Sequence, residues 1–368
     1  MKVLHINCNY LGTALHQLMI EELDSLGIDN DVFVPTYDSS RKVIEPNGNV
    51  QVSECFNRRD RTIFDHKQHK IIEAVEDHYN IKKYDLIHAY TLFTDGNCAR
   101  VLSEKYGVPY VVAVRNTDVN DFFKKMIHLR SRGIRTMKGA TEVFFLSEPY
   151  REQVMVKYVP KSSRHIIETK TKVIPNGIDH FWFNNCPTAS SIHKEHIKLV
   201  YAGVIDKNKN IMTTLSAMDC LENKGIEVSL TVVGRVADQS IFRKINCDKR
   251  VTYMEPVKKE ELMNIYRSCD IFVMPSIHES FGLVYAEAMS QGLPVIYTKD
   301  QGFDGQFPEG TIGYHVRPDS PKDIAEKIEL IVNNYDSFSK SAIEKAEKFN
   351  WGQIARDYFD IYKLIAAK

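Results

Sequence analysis

The sequence has little that could carry it through a bilayer or staple it covalently. No apolar run in its 368 residues approaches the roughly 18 to 20 that a membrane span needs. Its seven cysteines, Cys8, Cys55, Cys98, Cys186, Cys220, Cys247 and Cys269, are odd in number, scattered and free of any C-x-x-C pair, which argues for reduced core thiols and against a disulfide framework. Neither charge is in excess, with 48 Lys and Arg against 48 Asp and Glu, so no nucleic-acid partner is expected, although a neutral total leaves room for a local basic face. Metal patterns are also missing. There is no H-x-x-x-H and no cluster of carboxylates, and the one D-x-D triplet, Asp29 to Asp31, precedes an early strand and reads as a polar turn. The first turn lacks G-x-G-x-x-G, which argues against a nicotinamide enzyme. The opening "MKVLHINCNYLG" reads as a buried strand and not as a signal peptide, so a cytoplasmic location is expected.

What is present is a soluble globular composition, 43% hydrophobic and 26% charged, at a length that suits two domains of about 150 to 200 residues and hence a cleft. Short β-branched or aromatic runs alternate with amphipathic stretches: "KVLHIN" then "TALHQLMIEELDSLG", "YDLIHAY" then "DGNCARVLSEKYG", "TEVFFLS" then "EPYREQVMVKYV". Strand followed by helix, repeated, predicts a parallel sheet covered on both faces. The pattern stops at the turn-rich residues 173 to 196, which mark a domain boundary, and restarts with "IKLVYAG", "EVSLTVVG", "DIFVMPS" and "PVIYT" as a second parallel sheet. The C-terminal stretch is helical by period, with Phe349, Ile354, Tyr358, Ile361 and Ile365 on one stripe.

One stretch concentrates chemistry. "HESFGLVYAEAMSQGLP", residues 278 to 294, joins a buried strand to a short helix and sets Glu279 and Glu287 eight positions apart around a Phe-Gly-Leu step. Main-chain N–H groups and the positive end of the helix dipole gather at such a junction, and Gly282 lets a phosphate approach the backbone. Glu287, about one turn along, suits hydroxyls beside that phosphate, and Glu279 suits hydroxyls on whatever a diphosphate carries. From spacing alone, two solvated residues flanking the connection read equally well. A second strand-to-helix turn, "YAGVIDKNKN" at residues 201 to 210, places Gly203, Lys207 and Lys209 where cations would stabilise a departing diphosphate. Lys207 taken alone reads more simply as a solvated loop lysine.

"PSIHESFGLVYAEAMSQGLPVI" resembles the E-x7-E motif of glycosyltransferase family 4, retaining enzymes of the two-domain GT-B fold. "KVIPNGID" at 172 to 179, "YDLIHAYTLFTDG", Gly12 in "NYLGTA" and "WGQIARDYFDIYKL" resemble further family segments in the right order, so the likeness spans essentially the whole chain. It implies two Rossmann-like parallel-sheet domains facing a central cleft, with a C-terminal helix crossing back onto the first. Residues 1–187 would bind the acceptor, 188–348 the nucleotide-sugar donor, and 349–368 would form the returning helix. The implied donor is a uridine-linked sugar, and the acceptor a saccharide or lipid-linked saccharide in bacterial surface polysaccharide or glycolipid synthesis. No cofactor is implied, and no metal is needed if helix dipole and lysines neutralise the diphosphate.

Residue by residue, the likeness assigns donor contacts to Gly12, Gly203, Lys207, Lys209, Glu279, Ser280, Phe281, Gly282, Leu283 and Glu287. Glu279, Lys209 and Arg115 stand as the catalytic set, and Arg115, Asn116 and Asp118 as acceptor contacts. Two positions depart from the family. Val204 stands where an arginine usually follows the glycine, so that one phosphate contact is missing or is supplied by Lys207 or Arg235. Arg115 and Asn116 replace a histidine-glycine pair, and a guanidinium is no base at neutral pH. The resemblance allows transfer without that histidine, the departing phosphate oxygen taking the acceptor proton, and the exchange reads equally as a changed donor, a charged acceptor or a silenced enzyme. Asp118 reads either as a site residue or as the cap of the next helix. Rival functions are a nucleotide-sugar epimerase or phosphorylase on the same scaffold, or a silent nucleotide-sugar-binding protein.

Two basic stretches remain. "FFKKMIHLRSRGIRTMKG" carries Lys124, Lys125, Arg130, Arg132, Arg135 and Lys138 without an acid, over an apolar set of Phe122, Met126, Leu129 and Met137. As an amphipathic segment it suits peripheral docking at the inner face of an anionic membrane, a lipid diphosphate acceptor, or plain solvation. Its neighbour, "NRRDRTIFDHKQHK" at 57 to 70, is placed on the acceptor side.

Overall fold

The structure, a computed structural model, describes residues 1–40, 42, 44–46, 48–187 and 196–367. Contacts divide the chain into two units. The first comprises Met1–Leu146, Tyr150–Gly177 and the chain from Trp351 onward; the second comprises Ser147–Pro149 and Ile178–Asn350. The passage between them at Gly177–Ile178 falls within the turn-rich stretch 173 to 196, whose residues 188–195, next to the expected 187/188 boundary, lie outside the described residues.

The first unit is built on seven strands: β1 (Lys2–Ile6), β2 (Asp29–Pro35), β3 (Val50–Ser53), β4 (Leu86–Ala89), β5 (Tyr110–Val114), β6 (Glu142–Phe145) and β7 (Thr171–Val173). All pair in parallel in the order β3-β2-β1-β4-β5-β6-β7. Every residue of β4 and β5 is buried, as expected when helices cover both faces and no side of the strand meets water. The pleat sorts their side chains by alternation. Ile87, Ala89, Val112 and Val114 join one apolar cluster with the helices Phe64–His78 and Asp95–Tyr106, while Leu86, Val111 and Ala113 join another, with Phe144 of β6 and the helices Leu15–Ser25 and Trp351–Ala366. Fully burying each such Val, Leu, Ile or Phe side chain stabilises the unit by about 1.5 to 3 kcal/mol.

The second unit repeats the plan with β8 (His196–Ala202), β9 (Glu227–Val233), β10 (Val251–Met254), β11 (Ile271–Val273), β12 (Val295–Thr298) and β13 (Gly313–Val316), in the order β10-β9-β8-β11-β12-β13. In each sheet the first strand is flanked by the second and by the fourth, so strand order reverses there. Open α/β sheets bind ligands outside the carboxyl ends of the strands at such a reversal, which directs attention to the turns after β1 and β4 and after β8 and β11.

Three local expectations change. Phe349 leaves the C-terminal stripe: it closes a short turn, Glu347–Phe349, and its ring packs on Phe281 and Phe303 in the second unit, while Trp351, Ile354, Tyr358, Tyr362 and Ile365 form the buried face of the last helix. The basic stretch at 122 to 139 is not one amphipathic helix. A wide π-type turn (Asp118–Phe123) and a short turn (Ile127–Leu129) precede the helix Arg130–Gly139, and the expected apolar set is split, Leu129 and Met137 being buried and Met126 exposed. The Asp29–Asp31 triplet is the start of β2 and not a turn, with Lys2 Nζ 2.8 and 2.9 Å from the two carboxylates.

Candidate functional site

In the second unit the turn after β8 and the turn after β11 are knitted together. Asn208 accepts from the His278 main-chain N–H (3.0 Å) and donates to the His278 carbonyl (2.9 Å), while its own carbonyl accepts from the Ile277 N–H (2.7 Å). Asn210, in a left-handed conformation at φ 58°, donates to the Pro275 carbonyl at 3.0 Å and so locks the entry to the helix Ile211–Glu222. These bonds bring Lys209 against Glu279, with Nζ 2.6 Å from Oε2.

Glu279 is only 6% exposed, so its carboxylate needs its partners. Ser276 Oγ donates to Oε2 at 3.3 Å, alongside the Lys209 ammonium. Its backbone is braced from the turn after β12, where the Glu279 N–H reaches Gln301 Oε1 (3.0 Å) and the Gly302 N–H reaches the Glu279 carbonyl (2.9 Å). Only glycine allows that brace, because a Cβ on Gly302 would sit 1.8 Å from the Ser280 carbonyl oxygen.

Gly282 starts the helix Leu283–Ser290 in the left-handed region, at φ 77°, and a Cβ there would lie 2.4 Å from the Tyr285 ring. The glycine is therefore demanded by the turn and by Tyr285, whose hydroxyl is tied to the Met274 carbonyl, in addition to any ligand approaching the main chain. The amides of Leu283 and Val284 open the helix, where N–H groups have no partner within it. The Phe281 side chain turns inward, 2% exposed, which leaves backbone as what position 281 can offer a ligand. Gly203 stands at the start of the opposing turn, its N–H held by the Val233 carbonyl, and Val204 is fastened by the Tyr201 hydroxyl on its carbonyl. Lys207 and Arg235 are exposed on that side.

Glu287 sits half-buried on the same helix. Burial pushes its carboxyl up to about 7, the nearby Lys259 ammonium pulls it back down, and Asp179 raises it. The Trp182 indole N–H lies beside it without closing a regular hydrogen bond. A group poised between acid and carboxylate at neutral pH can take up hydroxyl donors strongly once ionised.

In the first unit, the turn after β1 and the turn after β4 meet through Asp95, which accepts from the Cys8 N–H (3.2 Å) and the Thr91 hydroxyl (3.0 Å). Burial raises the Asp95 carboxyl to about 7. Gly12 borders a pocket of about 500 Å³ lined also by Cys8, Thr13, Thr36, Tyr37 and Asp38, and nothing lies within 4 Å of where its Cβ would be. Arg115 follows β5, bonding with its Nη1 to Asn176 Oδ1 (2.9 Å) and with its Nε to the Tyr90 carbonyl (3.3 Å). Asn116 is half-buried beside it, bonded to Asn120. Asp118 is 1% exposed and accepts three main-chain N–H groups, from Arg115 (2.8 Å), Leu92 (3.0 Å) and Phe93 (3.2 Å). Burial lifts its carboxyl to about 6 against the pull of those bonds and of Arg115. It shapes the loop that carries Arg115 and is not the cap of a following helix.

The structure thus gathers Lys209, Glu279, Ser280, Gly282 and Leu283, with Glu287 one turn on, at one reversal point, and Gly12 at the other. Sequence reasoning missed Ser276, Asn208, Gln301 and Gly302. The signal available for the last two was the glycine-rich loop "DQGFDGQFPEG" after a buried strand. Among the described residues no group of three or more His, Cys, Asp or Glu is placed to hold a metal ion, and no helix is long and apolar enough to cross a membrane.

Comparison with known proteins adds the following. The model of "Glycosyltransferase Family 4" matches residues 17–180, and that of "Glycosyl transferases group 1" matches residues 186–349. A D-inositol 3-phosphate glycosyltransferase of Arthrobacter is 25% identical over 371 aligned residues, covering 92% of this chain and 86% of the relative. Among solved structures, sucrose-phosphate synthase of Thermosynechococcus elongatus superposes with a TM-score of 0.74 at 20% identity, covering the whole of both chains. HepE of Anabaena, solved with UDP-glucose, superposes at 0.64 and 17% identity over 98% of this chain and 99% of its own.

Proposed function

We propose, for a chain that belongs to the family-4 type of glycosyltransferases and has their two-domain GT-B fold, that it is a metal-independent, retaining enzyme moving a sugar from a UDP-sugar to a saccharide or lipid-linked saccharide. The observation that carries the reading is the Lys209–Glu279 pair, 2.6 Å apart, at the mouth of the helix Leu283–Ser290. It offers one end of a donor a cation and the other a hydroxyl acceptor. The second unit takes the donor: Glu287 holds the ribose hydroxyls, the main chain at Phe281, Gly282 and Leu283 holds the diphosphate, and Glu279 holds the sugar. Gly203 leaves the opposing turn open, Ser280 and Lys207 lie at its rim, and Gly12 belongs to the donor-facing loop of the first unit. Arg115 and Asn116 engage the acceptor, on a loop shaped by Asp118.

In the reaction the bond from the anomeric carbon to the diphosphate breaks while the acceptor oxygen bonds to the same face of that carbon. The acceptor proton passes to the departing phosphate oxygen, and Lys209 stabilises the charge that develops there. A protein base is then unnecessary, which fits a guanidinium at Arg115. UDP-glucose bound to HepE supports the donor class, and the name of the inositol-phosphate relative supports a polyol-type acceptor. A place at the inner face of a membrane, in surface polysaccharide or glycolipid synthesis, is supported by exposed Met126 and Ile127 beside Lys124 and Lys125.

Calorimetry with UDP and mass spectrometry against a panel of UDP-sugars and acceptors test the reading. Binding of UDP, a glycosylated product with the donor's anomeric configuration by NMR, and turnover undiminished by EDTA are expected. Absence of UDP binding overturns it. UDP release without any acceptor, or a demand for free phosphate, assigns the fold to an epimerase or phosphorylase instead.

A further inference from the structure

The chain from Lys299 to Ile312, between β12 and β13, runs as a succession of turns and carries the brace of Glu279. Gln301 Oε1 and the Gly302 N–H hold the main chain of Glu279, and at the entry Thr298 Oγ1 donates to the Ser276 carbonyl at 2.7 Å. Asp304 closes the first of these turns. Its Oδ2 accepts from the Asp300 N–H (2.7 Å), its Oδ1 from the Gly305 N–H (3.0 Å), and its own N–H reaches the Gln301 carbonyl (3.0 Å), with Asp300 in the left-handed region at φ 58°. Gln301 and Gly302 thus lie inside the span that Asp304 fastens. The Asp304 carboxylate is held in turn by His315 of β13, whose Nδ1 lies 3.0 Å from Oδ1, while Nε2 of the same ring lies 3.3 Å from Glu309 Oε2 toward the far end of the segment. Lys327, on the helix Pro321–Asn333, stands 3.6 Å from the other Glu309 oxygen and 4.6 Å from the centre of the Tyr314 ring.

We infer that His315 is a positioning residue for the sugar end of the donor site: it holds Asp304 and Glu309 together, Asp304 closes the turn 300 to 304, and that turn sets the main chain of Glu279 through Gln301 and Gly302. The inference rests on the proposed function, in which Glu279 contacts the sugar. Each nitrogen of the His315 ring faces a carboxylate oxygen, and an imidazole donates from both nitrogens only when it carries the positive charge. The ring is a bridge between two acids that an aliphatic side chain on β13 does not provide. Partly exposed ion pairs contribute little to stability, and the side chains of His315, Asp304 and Glu309 are 23%, 14% and 40% exposed, so the bridge supplies placement more than free energy. Phe303, among Tyr285, Tyr297 and Phe349, anchors the same turn by its ring, but apolar packing is non-directional and does not aim a neighbouring N–H. Placement is what a site contact needs, since a shift of about 1 Å lowers a rate by about 10²-fold.

The test uses the full chain with H315L, which removes both donors, and H315R, which restores a cation with several. Hydrogen exchange of the ligand-free protein, followed by mass spectrometry, is expected to run about tenfold faster in H315L over the peptides containing Glu279 and Gly302, to stay unchanged in β9, and to return toward the parent rate in H315R. Calorimetry gives the second readout, with UDP and with whichever of UDP-glucose, UDP-galactose and UDP-N-acetylglucosamine the parent binds most tightly. H315L is expected to keep UDP affinity within about twofold and to bind that UDP-sugar about tenfold more weakly, and H315L/E279Q to lose no more than E279Q alone. E309Q, at the more exposed end of the bridge, serves as the second variant should H315L fail to fold. Unchanged exchange at both peptides, equal losses for UDP and the UDP-sugar, or losses in H315L and E279Q that simply add overturn the inference. A parent chain that binds none of these nucleotides overturns the donor reading and the sugar-positioning role with it, whereas UDP binding by the parent with unchanged exchange in H315L strikes the positioning role alone.

Discussion

The two reversal points are built on one plan and finished in opposite ways. After β8 and β11 the cation already has its carboxylate: Lys209 is paired with Glu279, and the turns that carry them are braced by Asn208, Ser276, Gln301 and Gly302. After β1 and β4 the buried carboxylate Asp95 meets main chain and a hydroxyl, while Arg58 and Arg61 lie over the Tyr37 ring and make no ion pair among the described residues. A paired site keeps its geometry without ligand, since removing Lys209 would strand the buried charge of Glu279. The paired site is the one that the proposed function assigns to the donor.

The largest effect that would break this contrast is expected from Lys209→Met. Loss of the cation at the leaving group should lower kcat about 10²- to 10³-fold, and the stranded Glu279 should lower the unfolding free energy of the second unit by about 2 kcal/mol. Steady-state rates and denaturant melts check both, and a rate within threefold of the parent would dissolve the distinction between the two sites. Gly282→Ala comes next. The left-handed backbone and the Tyr285 ring 2.4 Å from the new Cβ should cost about 1 to 3 kcal/mol and weaken UDP binding about tenfold, with the first unit unaffected.

Asp118→Asn sharpens the contrast from the other side. An amide oxygen accepts for only part of what the carboxylate now serves, so the first unit should lose about 1 to 2 kcal/mol while UDP affinity is unchanged by calorimetry. The smallest effect concerns pH. The Glu287 carboxyl is raised from 4.5 to about 7, so it is mostly neutral at pH 6 and mostly ionised at pH 8. UDP-glucose, whose diphosphate does not titrate in that range, should bind a few-fold more tightly at pH 8, and E287Q should be flat. Because the raised value means the fold favours the neutral acid, the stability this group contributes declines as pH rises from its ordinary range through 7. E287Q should therefore melt no lower than the parent at pH 8.

Much of the fold was legible because it is local. β-branched runs such as "YVVAV" and "VIYT" are buried on both faces, and the strand-to-helix turn at Glu279–Gly282 announces itself by a glycine that no other residue replaces at φ 77°. Where local pattern and packing compete, the reading slipped. Phe349 has helical spacing to the residues after it, yet its ring is taken by Phe281 and Phe303. The stretch 122 to 139 has helical composition, but burial of Phe123 and Leu129 together with the bond from Arg130 Nε to the Phe123 carbonyl breaks it into pieces. Asp118 was legible as a polar residue after a strand, and only its three main-chain donors reveal that it faces inward.

By itself, then, the order of amino acids determined two parallel sheets and the chemical character of the turns at their carboxyl ends, since apolar period and turn stereochemistry act over a few residues. Only the tertiary structure decided which charges meet. Lys209, and not Lys207, reaches a glutamate 70 positions away, while Arg58 and Arg61 are brought to a ring and make no ion pair among the described residues. Pairing depends on distances of a few ångströms between turns of different strands, and those are set by sheet register and helix packing, which no short stretch of sequence contains.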